Sequence, residues 1–75
     1  MNLNEIGLAK KFVITKINLK KERAERFNSL GVIVGEEGEI ERVAPLGDPI
    51  VILISSVHLA IRREDAGLIM VREIE

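Results

Sequence analysis

The apolar positions change their period several times along the chain, and each change marks an element. Phe12 to Ile17, "FVITKI", alternates in part and is rich in β-branched side chains, which predicts a short first strand. In the "NLKKERAERFNSLG" that follows, Leu19, Arg23, Phe27 and Leu30 recur at helical spacing. Asn18 is placed to cap this helix, Gly31 to end it in a left-handed conformation, and Glu22 to pair with Arg26 one turn later. The stretch "VIVGEEGEIERVA" puts Gly35 where a type II turn wants a positive φ, and a strand is expected from about Glu37 to Ala44. Gly38 interrupts that strand and is expected to be a local defect or a bulge.

Pro49 to Ser55 encloses the unbroken apolar run "IVILI" and reads as a strand buried on both faces. "VHLAI" predicts a further strand with Val57, Leu59 and Ile61 inward, and "IMVRE" predicts the last. Between these two, "RREDAG" is too short for an ordinary helix and suits one turn of 3₁₀, with Glu64 and Asp65 as its caps. The expected fold is mainly β: a small, strongly bent, SH3-like five-stranded antiparallel barrel, with one short helix after the first strand and a 3₁₀ turn before the last. Closure of the sheet would hide its edges. Residues 1–75 are expected to form one domain, since a chain of this length has room for a single small core.

Both prolines fall in "RVAPLGDPI", residues 42 to 50. A residue before proline is pushed into the extended region, so Ala44 and Asp48 are expected extended, and neither Pro45 nor Pro49 can donate to a ladder. Leu46 and Gly47 are left to make the turn of a stiff hairpin loop. The apolar Leu46 at a loop tip has two possible fates, tucked under the barrel or offered to a partner.

Composition removes several classes of function. With no Cys, disulfide staples and thiolate metal sites are absent, and a reducing, cytoplasmic setting fits. "NLNEIGLAKKF" lacks the long apolar core of a signal peptide, and Ile50 to Ile54 is far short of a membrane span, so a soluble chain is expected. The net charge of −1 conceals an asymmetry. Residues 1 to 26 hold seven basic and three acidic side chains, while the remainder holds four and nine. The basic part, with Lys16, Lys20, Lys21, Arg23 and Arg26, is a candidate docking face for an acidic partner.

The stretch "RFNSLGVIVGEEGEIERVAPLGDPIVILISSVHLAIRREDAGLIMV" resembles the FeoA family of small SH3-like proteins of bacterial ferrous iron uptake. The resemblance lies on Arg26-Phe27, Leu30-Gly31, Val34-Gly35, Ala44 to Ile50, and Ile61-Arg62 with Asp65-Ala66, and "APLGDPI" is its most specific part. Val34 stands where the family usually has proline, Gly38 where it has an apolar strand residue, and Ser56 where a glycine commonly turns the third strand into the fourth. The resemblance implies a free-standing cytoplasmic accessory protein that binds the cytosolic, guanine-nucleotide-binding part of the FeoB transporter. No DNA partner is expected, and membrane contact only through the transporter.

The residues offer little chemistry of their own. His58 is the single histidine and is expected to be a solvated side chain on the outward face of its strand, so neither a tight metal site nor a cofactor is expected. No nucleophile, base and orienting group stand at a recognisable spacing, and no Gly-rich phosphate loop joins strand to helix, so the chain reads as a binding module and not an enzyme. Arg62 or Arg42 are candidates for an arginine donated in trans to a GTPase. The candidate partner-binding residues are therefore Pro45, Leu46, Gly47 and Asp48 in the corner, Arg42 and Arg62 near it, and Lys20 and Arg23 on the helix. The alternative is a weak, salt-dependent RNA-binding module using the same basic region without aromatic stacking.

Overall fold

β1, Lys11–Ile17, sends Phe12 and Ile14 into the core, and the rest of the molecule is built against it. The computed structural model describes residues 1–74. Four further strands follow: β2 at Glu37–Val43, β3 at Ile50–Ile54, β4 at Val57–Ile61 and β5 at Ile69–Ile74. All pair antiparallel in one sheet with the order β4-β3-β2-β1-β5. Helix α1, Lys21–Ser29, follows β1, and the single helical turn expected before the last strand is present as α2, Arg63–Ala66. α2 closes with α-type bonds, Ala66 N–H to Arg62 and Gly67 N–H to Arg63. The 3₁₀ turn of the chain lies instead at Leu3–Glu5, where Asn2 and Glu5 form a capping box.

The fold is thus the expected mainly-β class of five antiparallel strands, but the sheet is not closed. β4 and β5 remain edges. The edge of β5 finds its partner in the N-terminal segment, through an Asn2–Met70 bridge and a 2.9 Å bond from Val71 N–H to the Met1 carbonyl. Leu3 and Ile6, on the same segment, are buried in the core. The sheet bends by two bulges, at Thr15 in β1 and at Glu41 in β2. The second one matters for sequence reading: after inward Ile40, strict alternation would point Arg42 inward, and the extra residue leaves both Glu41 and Arg42 exposed.

Gly38 is therefore not the bulge. It keeps register with Phe12 on one side and Ile54 on the other. A Cβ built on it would lie 2.7 Å from Phe12 Cζ and 3.0 Å from the Leu53 carbonyl oxygen. The glycine is the space that the fully buried phenyl ring occupies.

α1 departs from expectation at its start and agrees at its end. Asn18 does not cap it, because the helix begins two residues later: Lys20 is the N-cap and gives no side-chain bond, while the Asn18 N–H donates to the Leu68 carbonyl at 2.8 Å. At the other end Gly31, with φ 101°, donates to Asn28 while Val32 donates to Phe27, the bond pattern of a Schellman motif. Phe27 and Val32 are both buried, as is Leu19, whereas Leu30 faces solvent. Gly35 holds the third position of the turn closed by Glu36 N–H to the Ile33 carbonyl, with the expected positive φ. In β4, Ile61 is buried and Leu59 partly so, but Val57, expected inward, is exposed beside the hairpin tip. That tip is Ser55-Ser56, both at positive φ.

Gly38→Val is expected to destabilise the fold by about 1–3 kcal/mol through overpacking against the Phe12 ring, measured by denaturant unfolding. Ser56→Gly should act in the opposite sense. A left-handed L-residue costs roughly 1–2 kcal/mol, partly offset by the greater freedom of unfolded glycine, so a gain of about 0.5–1 kcal/mol is expected in the same measurement.

Candidate interaction surface at the proline corner

The hairpin between β2 and β3 is closed by Ala44 N–H to the Pro49 carbonyl at 3.0 Å, and inside it Gly47 N–H donates to the Ala44 carbonyl at 2.8 Å. Pro45 and Leu46 are therefore the central turn residues, one place earlier than the sequence implied. The fixed φ of Pro45 suits the first central position, and Gly47 leaves the turn at φ 90°. The Asp48–Pro49 peptide is cis. Leu46 stands at the tip with 97% of its surface exposed. Of its two fates, the structure takes the solvent-facing one.

The loop is held from outside itself. Asp48 Oδ1 accepts from the Arg63 backbone N–H at 3.1 Å, filling the α2 cap role expected of Glu64 and Asp65. The Arg63 side chain returns the contact: Nε donates to the Gly47 carbonyl at 2.5 Å and Nη1 to Asn4 Oδ1 at 3.2 Å. Asn4 Nδ2 in turn donates to the Arg63 carbonyl at 2.9 Å. A second polar tie binds α2 to α1. Asp65, buried to 5% exposure, receives Arg23 Nε and Nη2 on its two oxygens at 2.8 and 2.7 Å. The hydrogen bond and charge of Asp65 raise the Arg23 pKa above its ordinary value. The expected Glu22–Arg26 pair is not among the ion pairs of the described residues.

These contacts bring most of the candidate residues into one linked region. Pro45, Leu46, Gly47 and Asp48 form the corner, Arg62 is exposed immediately before α2, Arg23 is joined to α2 through Asp65, and Lys20 is exposed at the start of α1. Arg42 is exposed on β2, opposite Val51 and two residues before Ala44, with no side-chain bond to the corner among the described residues. His58 is exposed and pairs its Nδ1 with Glu41 Oε2 at 2.8 Å. Among the described residues no three His, Cys, Asp or Glu side chains converge as metal ligands. Arg63, Asn4 and Asp65 were missed as parts of this region. Their partners lie 16, 59 and 42 positions away, so no local spacing announces them.

A model of the FeoA domain matches residues 1–73. The solution structure of the FeoA protein of Chlorobium tepidum aligns with 100% of this chain and 71% of its own, with a TM-score of 0.95 at 29% identity. Iron(II) transport protein A of Clostridium thermocellum aligns with 99% of this chain at TM-score 0.92 and 35% identity, and the match spans 46% of that protein. The FeoA of Stenotrophomonas maltophilia, solved in complex with zinc and described as a prokaryotic SH3 domain protein, aligns with 96% of this chain and 89% of its own, at TM-score 0.79 and 26% identity.

The Arg23–Asp65 tie generates an asymmetric expectation. Arg23→Gln leaves a buried carboxylate without its partner, whereas Asp65→Asn releases a half-exposed guanidinium that water can solvate. Thermal melting of the two variants should show the larger fall for Arg23→Gln.

Proposed function

Because the chain belongs to the FeoA family, we propose that it serves ferrous iron transport as a cytoplasmic accessory that docks on the cytosolic domain of a FeoB-type transporter through its proline corner. The observation that carries this reading is the placement of Leu46. A large apolar side chain almost wholly in water, at the tip of a loop stiffened by two prolines and tied to α2, takes no part in the core where it stands. Ordering the loop before association removes part of the entropy cost of binding. Arg62 and Lys20, exposed on the same linked region, supply positive charge that steers the chain toward an acidic surface.

The accessory role requires recognition and no turnover. An RNA-binding role finds less support in the geometry: the Arg23 guanidinium is already engaged by Asp65, and the Glu22 and Glu25 side chains interrupt the basic stretch on α1.

Titration of the FeoB cytosolic domain tests the docking reading. Leu46→Ser is expected to keep the melting temperature and to weaken binding roughly tenfold or more, as the loss of one buried apolar side chain implies. A nonspecific RNA serves as the control ligand. Unchanged affinity for the transporter domain would show that the corner is only a turn, and a large fall in melting temperature would show that Leu46 is part of the core.

A further inference from the structure

We propose that Arg63 is the positioning residue of the corner: its guanidinium holds the Ala44–Pro49 loop in the one arrangement that presents Leu46. This rests on the docking reading above and adds to it the residue that sets the geometry of the tip.

The two prolines stiffen the loop, but few bonds within it fix where it sits on the molecule. Its backbone bonds are the Ala44–Pro49 and Gly47–Ala44 contacts, and Leu46 touches no core. Arg63 reaches it by two independent routes, the backbone N–H on Asp48 and Nε on the Gly47 carbonyl, the residue that follows Leu46. The guanidinium then uses another nitrogen, Nη1, on Asn4, and Asn4 closes the circuit on the Arg63 carbonyl. Asn4 lies in the 3₁₀ turn whose first residue, Leu3, is core, so the far end of the strut is anchored. α2 is itself pinned through Asp65.

The chemistry requires arginine. A planar fork donates in two directions at once, to a loop carbonyl and to an amide oxygen on a different segment. A lysine ammonium reaching Gly47 would not also hold Asn4 in a fixed geometry. Neither bond is a charge pair, since both acceptors are neutral carbonyl oxygens. The interaction therefore fixes position without neutralising the cation.

The test combines nitrogen-15 relaxation of the free full-length chain with titration of the FeoB cytosolic domain, for wild type, Arg63→Gln, Arg63→Lys and Leu46→Ser. In Arg63→Gln the order parameters of Leu46 and Gly47 should fall from the rigid range near 0.85 to below about 0.6, with the strands unchanged. Affinity should fall about three- to tenfold, and Arg63→Lys should lie between wild type and Arg63→Gln in both readouts. Should Arg63→Gln fail to fold, Asn4→Ala, which removes the acceptor of Nη1 and the bond to the Arg63 carbonyl but leaves Nε on Gly47, takes its place with the same expectation in smaller degree. Wild-type order parameters at Leu46 and Gly47 in the folded variant overturn the proposal without reference to any partner. A loosened loop with undiminished affinity, where Leu46→Ser does weaken binding, overturns the positioning role and leaves the docking reading standing. If Leu46→Ser has no effect on affinity, the docking reading fails and the positioning role fails with it.

Discussion

The ring of Phe12 needs the space over residue 38, and much of the fold follows from that need. Phe12 sits on β1, the strand that pairs with both β2 and β5, so its position fixes two ladders at once. Glycine at 38 lets the phenyl group lie against the backbone of β2. With only two phenylalanines and no tryptophan or tyrosine, the core has few large side chains to place. The surrounding isoleucines fill the remainder in β-branched, strand-compatible form.

Polar structure is concentrated at α2, in four residues. Asp48 caps it, Arg63 ties it to the corner and to Asn4, and Asp65 ties it to α1. A helix this short has no stability of its own. Side chains from three other segments keep it helical, and in return it holds those segments in mutual register. The corner that carries Leu46 is therefore set by a hub outside the hairpin as well as by its own prolines.

Much of this was legible in the sequence, and the division has a physical basis. The strands, the left-handed Gly31, the turn at Gly35 and the two-proline corner are local matters, decided by residues within a few positions of one another. The errors arise where a distant segment decides. Asn18 looks like a cap, but its N–H is tied to Leu68 and the helix starts only after Lys20, which is still extended. Gly38 looks like a defect until Phe12 arrives from another strand, and the bulge falls at Glu41, where the core would otherwise have to admit Arg42. Five short strands suggest a closed barrel, yet the edge of β5 is met by the N-terminal segment. Within the candidate surface, Leu46 was legible as an unexplained apolar tip, while Arg63 looked like one basic residue among several.

The pairing of β1 with β5 also sets a kinetic boundary. Its partners stand 52 to 63 positions apart, from Ile17 with Ile69 to Lys11 with Ile74. Closing so long a loop carries its entropy cost before the ladder repays any of it, which places folding nearer the slow end, about milliseconds to seconds, than the microseconds of helical bundles. During synthesis β5 emerges after every other strand. Until then β1 has one bare side, and the nascent chain holds an open, apolar edge that it conceals only when the last strand arrives.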